Sequence, residues 1–133
     1  MNESAEKLLP HRPPMRFINA LTHCDDTTAR ATARFGPDHF AVSDGLVTEA
    51  ALVECVAQTV AAALGYATRS GQPPGLGMLA AVTDFQIHSR PAADTILEIE
   101  VRERKRLGPM RLVRGTITCN GQLIAEGGLT VYA

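Results

Sequence analysis

TEAALVECVAQTVAAALGY, residues 48–66, decides the fold. Between Ala50 and Leu64 its polar side chains are Glu54, Gln58 and Thr59, with Cys55 counted among the apolar ones. The stretch reads as one long helix with Thr48 as N-cap, Ser43 and Asp44 being earlier candidates for that role. A helix apolar on nearly every face must be covered on nearly every face. Residues 46–67 are long enough for a membrane span, but Glu49, Glu54 and Gln58 interrupt them. An acidic residue at a bilayer centre costs about 2.5–3.5 kcal/mol, so the expectation is a buried helix in a soluble protein, with no membrane partner.

Working outward, a short helical or turn segment near 4–9 precedes Pro10-His11-Arg12-Pro13-Pro14, where three backbone donors are missing and the path is forced to be extended. Residues 15–24 and 28–35 read as two strands joined by a turn at Asp25-Asp26. After the helix, Gly65 and the glycine- and proline-rich residues 69–77 form a loop that stops it. Strand-like segments follow at about 79–89, 95–106, 110–119 and 122–131. Asn120-Gly121 is a tight-hairpin signal because both residues tolerate positive φ. The pattern is a hairpin, a buried helix and a meander of longer strands. One helix cannot be covered by its own loops, so the economical solution is an antiparallel sheet of about six strands wrapped around it, an α+β hot-dog fold. Such a sheet leaves an open edge, which predicts at least a homodimer.

The 133 residues suffice for one domain, read here as 1–133. A net charge of -1, from 13 basic and 14 acidic residues spread along the chain, gives no electrostatic reason to expect nucleic acid or an anionic membrane as partner. Cys24, Cys55 and Cys119 are too far apart for a zinc pattern and odd in number for a disulfide framework, which fits a reducing, cytoplasmic setting. Glu3, Glu6 and Lys7 stand where a secretory signal would need an apolar run, so the mature chain is expected to start near Met1. His23-Cys24-Asp25-Asp26 invites a metal reading, but neighbouring residues on a strand point to opposite faces, and no metal is expected.

Chemistry centres on Glu54. A carboxylate inside an apolar helix costs several kcal/mol to bury unless it is paired or performs work. Gln58, one turn on, stands on the same face and can support it by a hydrogen bond. Two readings stay open: an acid–base carboxylate with a supporting amide, or a polar pair facing solvent or a subunit interface. His39, in the loop before the helix, has the side chain of a natural general base, although a loop histidine is more often solvated or structural. His11 and His88 receive that structural reading.

Leu8-Leu9-Pro10-His11-Arg12-Pro13-Pro14-Met15 resembles the N-terminal signature of the hot-dog 3-hydroxyacyl-acyl-carrier-protein dehydratases, and Glu54-Cys55-Val56-Ala57-Gln58 resembles their helix motif. The likeness continues through 81–91 and 94–131, and the first motif with Met15 is closest to the dehydratase-like subgroup linked to aryl polyene synthesis. The resemblance implies that His39-Phe40 starts the family's catalytic loop and that His39 and Glu54 are the catalytic pair, donated by different subunits of a dimer. His39 would take the proton beside the thioester carbonyl, and the histidine or the carboxylate would assist loss of the 3-hydroxyl as water, without a cofactor. Ala41-Val42 replaces the family's Pro-Gly after His-Phe, and the His39-to-Glu54 spacing is about one residue longer, so the loop must take another path. Thr48, Glu49 and Ala50 stand where backbone N–H groups are expected to hold the thioester oxygen; Glu49 there either opposes that charge or points outward.

Three functions follow as expectations. The first is dehydration of a 3-hydroxyacyl thioester, on acyl carrier protein or CoA, to the trans-2-enoyl product. The second is acyl-thioester hydrolysis with Glu54 activating water. The third is a non-catalytic acyl-carrier or partner subunit that pairs with an active dehydratase in a heterodimer.

Overall fold

Thr48 caps the long helix as the sequence predicts: its Oγ1 accepts the N–H of Ala51 at 3.4 Å, and helix α2 runs over Glu49–Ala67. The computed structural model describes residues 1–68 and 78–132. Before α2 the chain forms strand β1 (Glu3–Ser4), helix α1 (Ala5–Leu8), strands β2 (Ile18–Cys24) and β3 (Thr28–Ala33), and a small hairpin of β4 (Val42–Ser43) and β5 (Leu46–Val47). After α2 come β6 (Met78–Ile87), β7 (Leu97–Leu107), β8 (Met110–Cys119) and β9 (Gln122–Tyr132). The expected loop at 69–77 lies outside the described residues.

The antiparallel sheet has seven strands in the order β1-β2-β3-β7-β8-β9-β6, one more than expected. The addition is β1, a two-residue pairing of Glu3 with Leu21 and Ser4 with Ala20. A period-2 pattern cannot declare itself over two residues. The sheet-facing side of α2 carries Leu52, Cys55, Val56 and Thr59, all buried, against Ile18, Leu21, Ile99 and Ile117 from the strands. Where α2 crosses β8, Gly115 leaves room for Val56, whose methyl groups would otherwise meet a Cβ. This is the α+β hot-dog arrangement. Length and composition alone would let α2 cross a membrane, but it forms the core helix against the sheet.

Gly65 does a different job from the one expected. It lies inside α2, and a Cβ there would collide with the Leu8 carbonyl, so its role is to let the end of α1 approach the helix. β6 sits at the sheet edge, paired with β9, and leaves Leu79 and Val82 exposed at 46% and 44%.

Candidate active site

Among the described residues the sheet does not close around α2. Ala50 is exposed, and Val53, Glu54, Ala57, Ala61 and Leu64 are half-buried, forming a stripe along one side. Glu54 lies on it with its side chain 41% exposed. Within one chain, then, the carboxylate avoids the full burial cost inferred from the helix composition, because the uncovered stripe passes through its position.

Gln58 is the buried member of the pair, at 1% exposure. Its Oε1 accepts the N–H of Phe17 at 2.8 Å and of Ile18 at 3.4 Å, while its Nε2 donates to the Met15 carbonyl at 2.9 Å and to Glu54 Oε1 at 3.3 Å. One amide therefore fastens α2 to the chain that enters β2, and the bond to Glu54 is the longer of its two donations. That entering chain is the proline-rich segment, in which the Pro13–Pro14 peptide is cis. Cys55, next to Glu54 in the chain, is buried; desolvation and then the Glu54 charge push its thiol well above the ordinary range.

The two histidines differ. His39 packs edge-on to Phe17 and Phe35 and stacks on Phe40 with ring centroids 4.8 Å apart. Its Nδ1 accepts the Ala41 N–H at 3.0 Å, which leaves the hydrogen on Nε2, where it is donated to the Pro14 carbonyl at 2.9 Å. Both ring nitrogens are committed to its own chain. His11, by contrast, lies with Nε2 4.0 Å from Glu54 Oε1, and its Nδ1 is buried without a hydrogen-bond partner among the described residues.

His11 and Glu54 together line two cavities. One, of about 380 Å³, reaches the helix N-terminus past Met15, Phe17, Phe40, Thr48 and Ala50. The other, of about 150 Å³, runs along Gln58, Val60, Ala61 and Leu64 toward Leu79 and Val131. Val60 and Leu64 also line a third cavity of about 230 Å³, between the C-terminal half of α2 and Val101 and Val113 of the sheet.

A family model described as ApeP-like, ApeP dehydratase, matches residues 3–133. The chain belongs to the ApeP-like dehydratase family. A search of curated proteins finds no match. Among solved structures, the dehydratase heterocomplex ApeI:P from Xenorhabdus doucetiae superposes with a TM-score of 0.87 at 20% identity, covering 97% of this chain and 90% of that one. An HP0420 homologue from Helicobacter felis gives 0.72 at 11% identity over 96% and 85%. A hypothetical thioesterase with coenzyme A from Streptococcus pneumoniae TIGR4 gives 0.69 at 12% identity over 84% and 82%. At these identities the likeness is one of fold.

For an ApeP-like chain, the backbone donors proposed at the helix start divide in two. The Thr48 N–H is already donated to the Ala41 carbonyl at 2.8 Å, whereas Glu49 and Ala50 occupy the first turn, whose N–H groups have no intrahelical acceptor. The Glu49 side chain is exposed. The loop after His39 forms the β4–β5 hairpin, which Arg90 staples by donating to the carbonyls of Val47, Ser43 and Leu46. His88 pairs with Glu126 at 3.0 Å, in keeping with its structural reading. His23 pairs with Asp25 at 2.9 Å. His11, which the sequence analysis gave a structural reading, is the histidine that the fold brings beside Glu54, and the signal that could have marked it is its place in the Leu8–Met15 signature.

Proposed function

We propose that this ApeP-like chain dehydrates 3-hydroxyacyl thioesters, delivered on an acyl carrier protein or CoA, to trans-2-enoyl thioesters, in a cytoplasmic biosynthesis of the aryl polyene type. The observation that carries the proposal is Glu54, an acid in an apolar helix whose carboxylate faces two largely apolar cavities and is held by a buried amide. Dehydration needs a base for the proton beside the thioester carbonyl and an acid for a poor leaving group, both shielded from water. Glu54 supplies one and a histidine the other, and the N–H groups of Glu49 and Ala50 hold the thioester oxygen. The cavity that runs from Glu54 past Ala57, Ala61 and Leu64 to Leu79 and Val131 gives an acyl chain an apolar wall along α2. The test is the ultraviolet absorbance of the conjugated enoyl thioester. Wild-type protein is expected to produce it and Glu54→Gln to lose about 10²–10⁴-fold in rate; binding without enoyl formation at every chain length tried would sink the proposal.

A second reading, an ApeP-like subunit that acts with a related dehydratase, is favoured by the closed hydrogen bonding of His39 and by the open β6 edge. In either case a second subunit, this chain or a relative, is proposed to pair along β6 and cover the Ala50–Leu64 stripe. Under the second reading the chain alone is inert, and activity appears when the related subunit is mixed in.

A further inference from the structure

We propose that His11, not His39, is the histidine that works with Glu54, so that the acid–base pair is complete within one chain. The inference rests on the dehydratase reading and deepens it.

Geometry comes first. His11 Nε2 and Glu54 Oε1 are 4.0 Å apart, too far for a direct hydrogen bond. An oxygen placed about 2.8 Å from each satisfies both at once, which is how a substrate 3-hydroxyl would sit between them. Both side chains stay accessible, at 33% and 41%. Both line the same two cavities, one reaching the helix N-terminus and the other running along Ala57, Ala61 and Leu64 toward Leu79 and Val131. The carbon beside the thioester carbonyl adjoins the carbon that bears the hydroxyl, so a group in reach of one is in reach of the other.

Freedom to change protonation state is the second argument. His39 must break a bond to Ala41 or Pro14 before either nitrogen can exchange a proton with substrate. Among the described residues His11 has no such bond to break, since Nδ1 is unpartnered there and Nε2 faces Glu54. A buried ring nitrogen left without a partner is uncommon and calls for a reason. The segment is nevertheless held in place: Arg12 Nη1 donates to the carbonyls of Leu9 and His11, and Gln58 grips Met15. The groups that face His11 from the neighbouring elements are Glu54 and Gln58 of α2, with apolar Leu79 of β6 and Val131 of β9.

In the reaction the pair shares one proton. His11 Nε2 takes the C2 proton, the electrons of that C–H bond form the C2=C3 bond, and the C3–O bond breaks. The departing hydroxyl takes the proton of the Glu54 carboxyl and leaves as water. The proton on His11 then passes across the gap to the Glu54 carboxylate, which restores the starting state.

The test uses the full-length protein in its native assembly with 3-hydroxyoctanoyl thioesters of N-acetylcysteamine. His11→Gln is expected to lower kcat at least 100-fold with KM little changed, and His39→Gln to lower it less than tenfold. Imidazole added to His11→Gly is expected to restore activity at least tenfold, a rescue that a purely structural role would not give. Dimers formed from His11→Gln and Glu54→Gln chains are expected to stay inactive; recovery in that mixture shows sharing between subunits and overturns the proposal. So does a His39→Gln loss as deep as that of Glu54→Gln. Independently of activity, the nitrogen chemical shifts of the His11 ring, recorded at one pH, are expected to move in Glu54→Gln. No movement overturns the pairing, whereas movement in a wild-type protein without dehydratase activity overturns only the reaction assigned to it.

Discussion

At the scale of the residue, Gln58 holds more than its neighbour Glu54. It receives two main-chain N–H groups and donates to one main-chain carbonyl, all in the chain that enters β2. Gln58→Ala is expected to lower stability by about 2–4 kcal/mol, read from urea denaturation, because buried backbone groups are left unpaired. Gln58→Glu keeps the shape but cannot donate to Met15, and it sets a second carboxylate beside Glu54; it should be destabilised at neutral pH and recover part of the loss in acid. The Glu54–Gln58 contact was legible in the sequence because residues four apart on a helix share a face. The other partners of Gln58 lie 40 to 43 residues away and His11 approaches Glu54 from an equally remote segment, so neither could be read from local spacing.

At the scale of the element, Gly65 sets two effects against each other. Alanine gains about 1 kcal/mol of helix propensity, but here its Cβ meets the Leu8 carbonyl, which cannot rotate away as a side chain could. Gly65→Ala is therefore expected to destabilise by about 1–3 kcal/mol net and to loosen α1, measured by denaturation and amide exchange. The β2–β3 turn depends on Asp25, whose carboxyl is held well below the usual carboxylate range by the Thr27 N–H first, then by His23 and the Thr28 N–H. A depressed pKa in the folded state favours folding at neutral pH and loses that contribution as the pH falls toward the folded value. The stability gap between wild type and Asp25→Asn is thus expected to shrink below about pH 4. The long elements were legible from apolar periodicity, and the 120–121 turn from Asn-Gly, whose φ values are 52° and 78°. The two-residue strands β1, β4 and β5 were not, since pairings so short are fixed by tertiary contacts.

At the scale of the molecule, the even spread of charge read from the sequence gives way to a local bias. Arg102, Arg104, Lys105, Arg106, Arg111 and Arg114, six of the thirteen basic residues, fall on the β7–β8 hairpin, against the three acids Glu98, Glu100 and Glu103. The balanced total hid this because charge counts ignore position. Leu79→Lys with Val82→Lys should leave the chain folded but shift it to a smaller species in light scattering, because like charges would face each other across the proposed β6 pairing.

The β6 edge also bears on supply. Among the described residues β6 is paired on one side only, and under the proposed pairing its other side waits for a second strand, so mass action enters the stability of the chain. The melting temperature should then rise with protein concentration, and a cell that makes this chain sparingly would hold it closer to unfolding than one that makes it, or a matching relative, in excess.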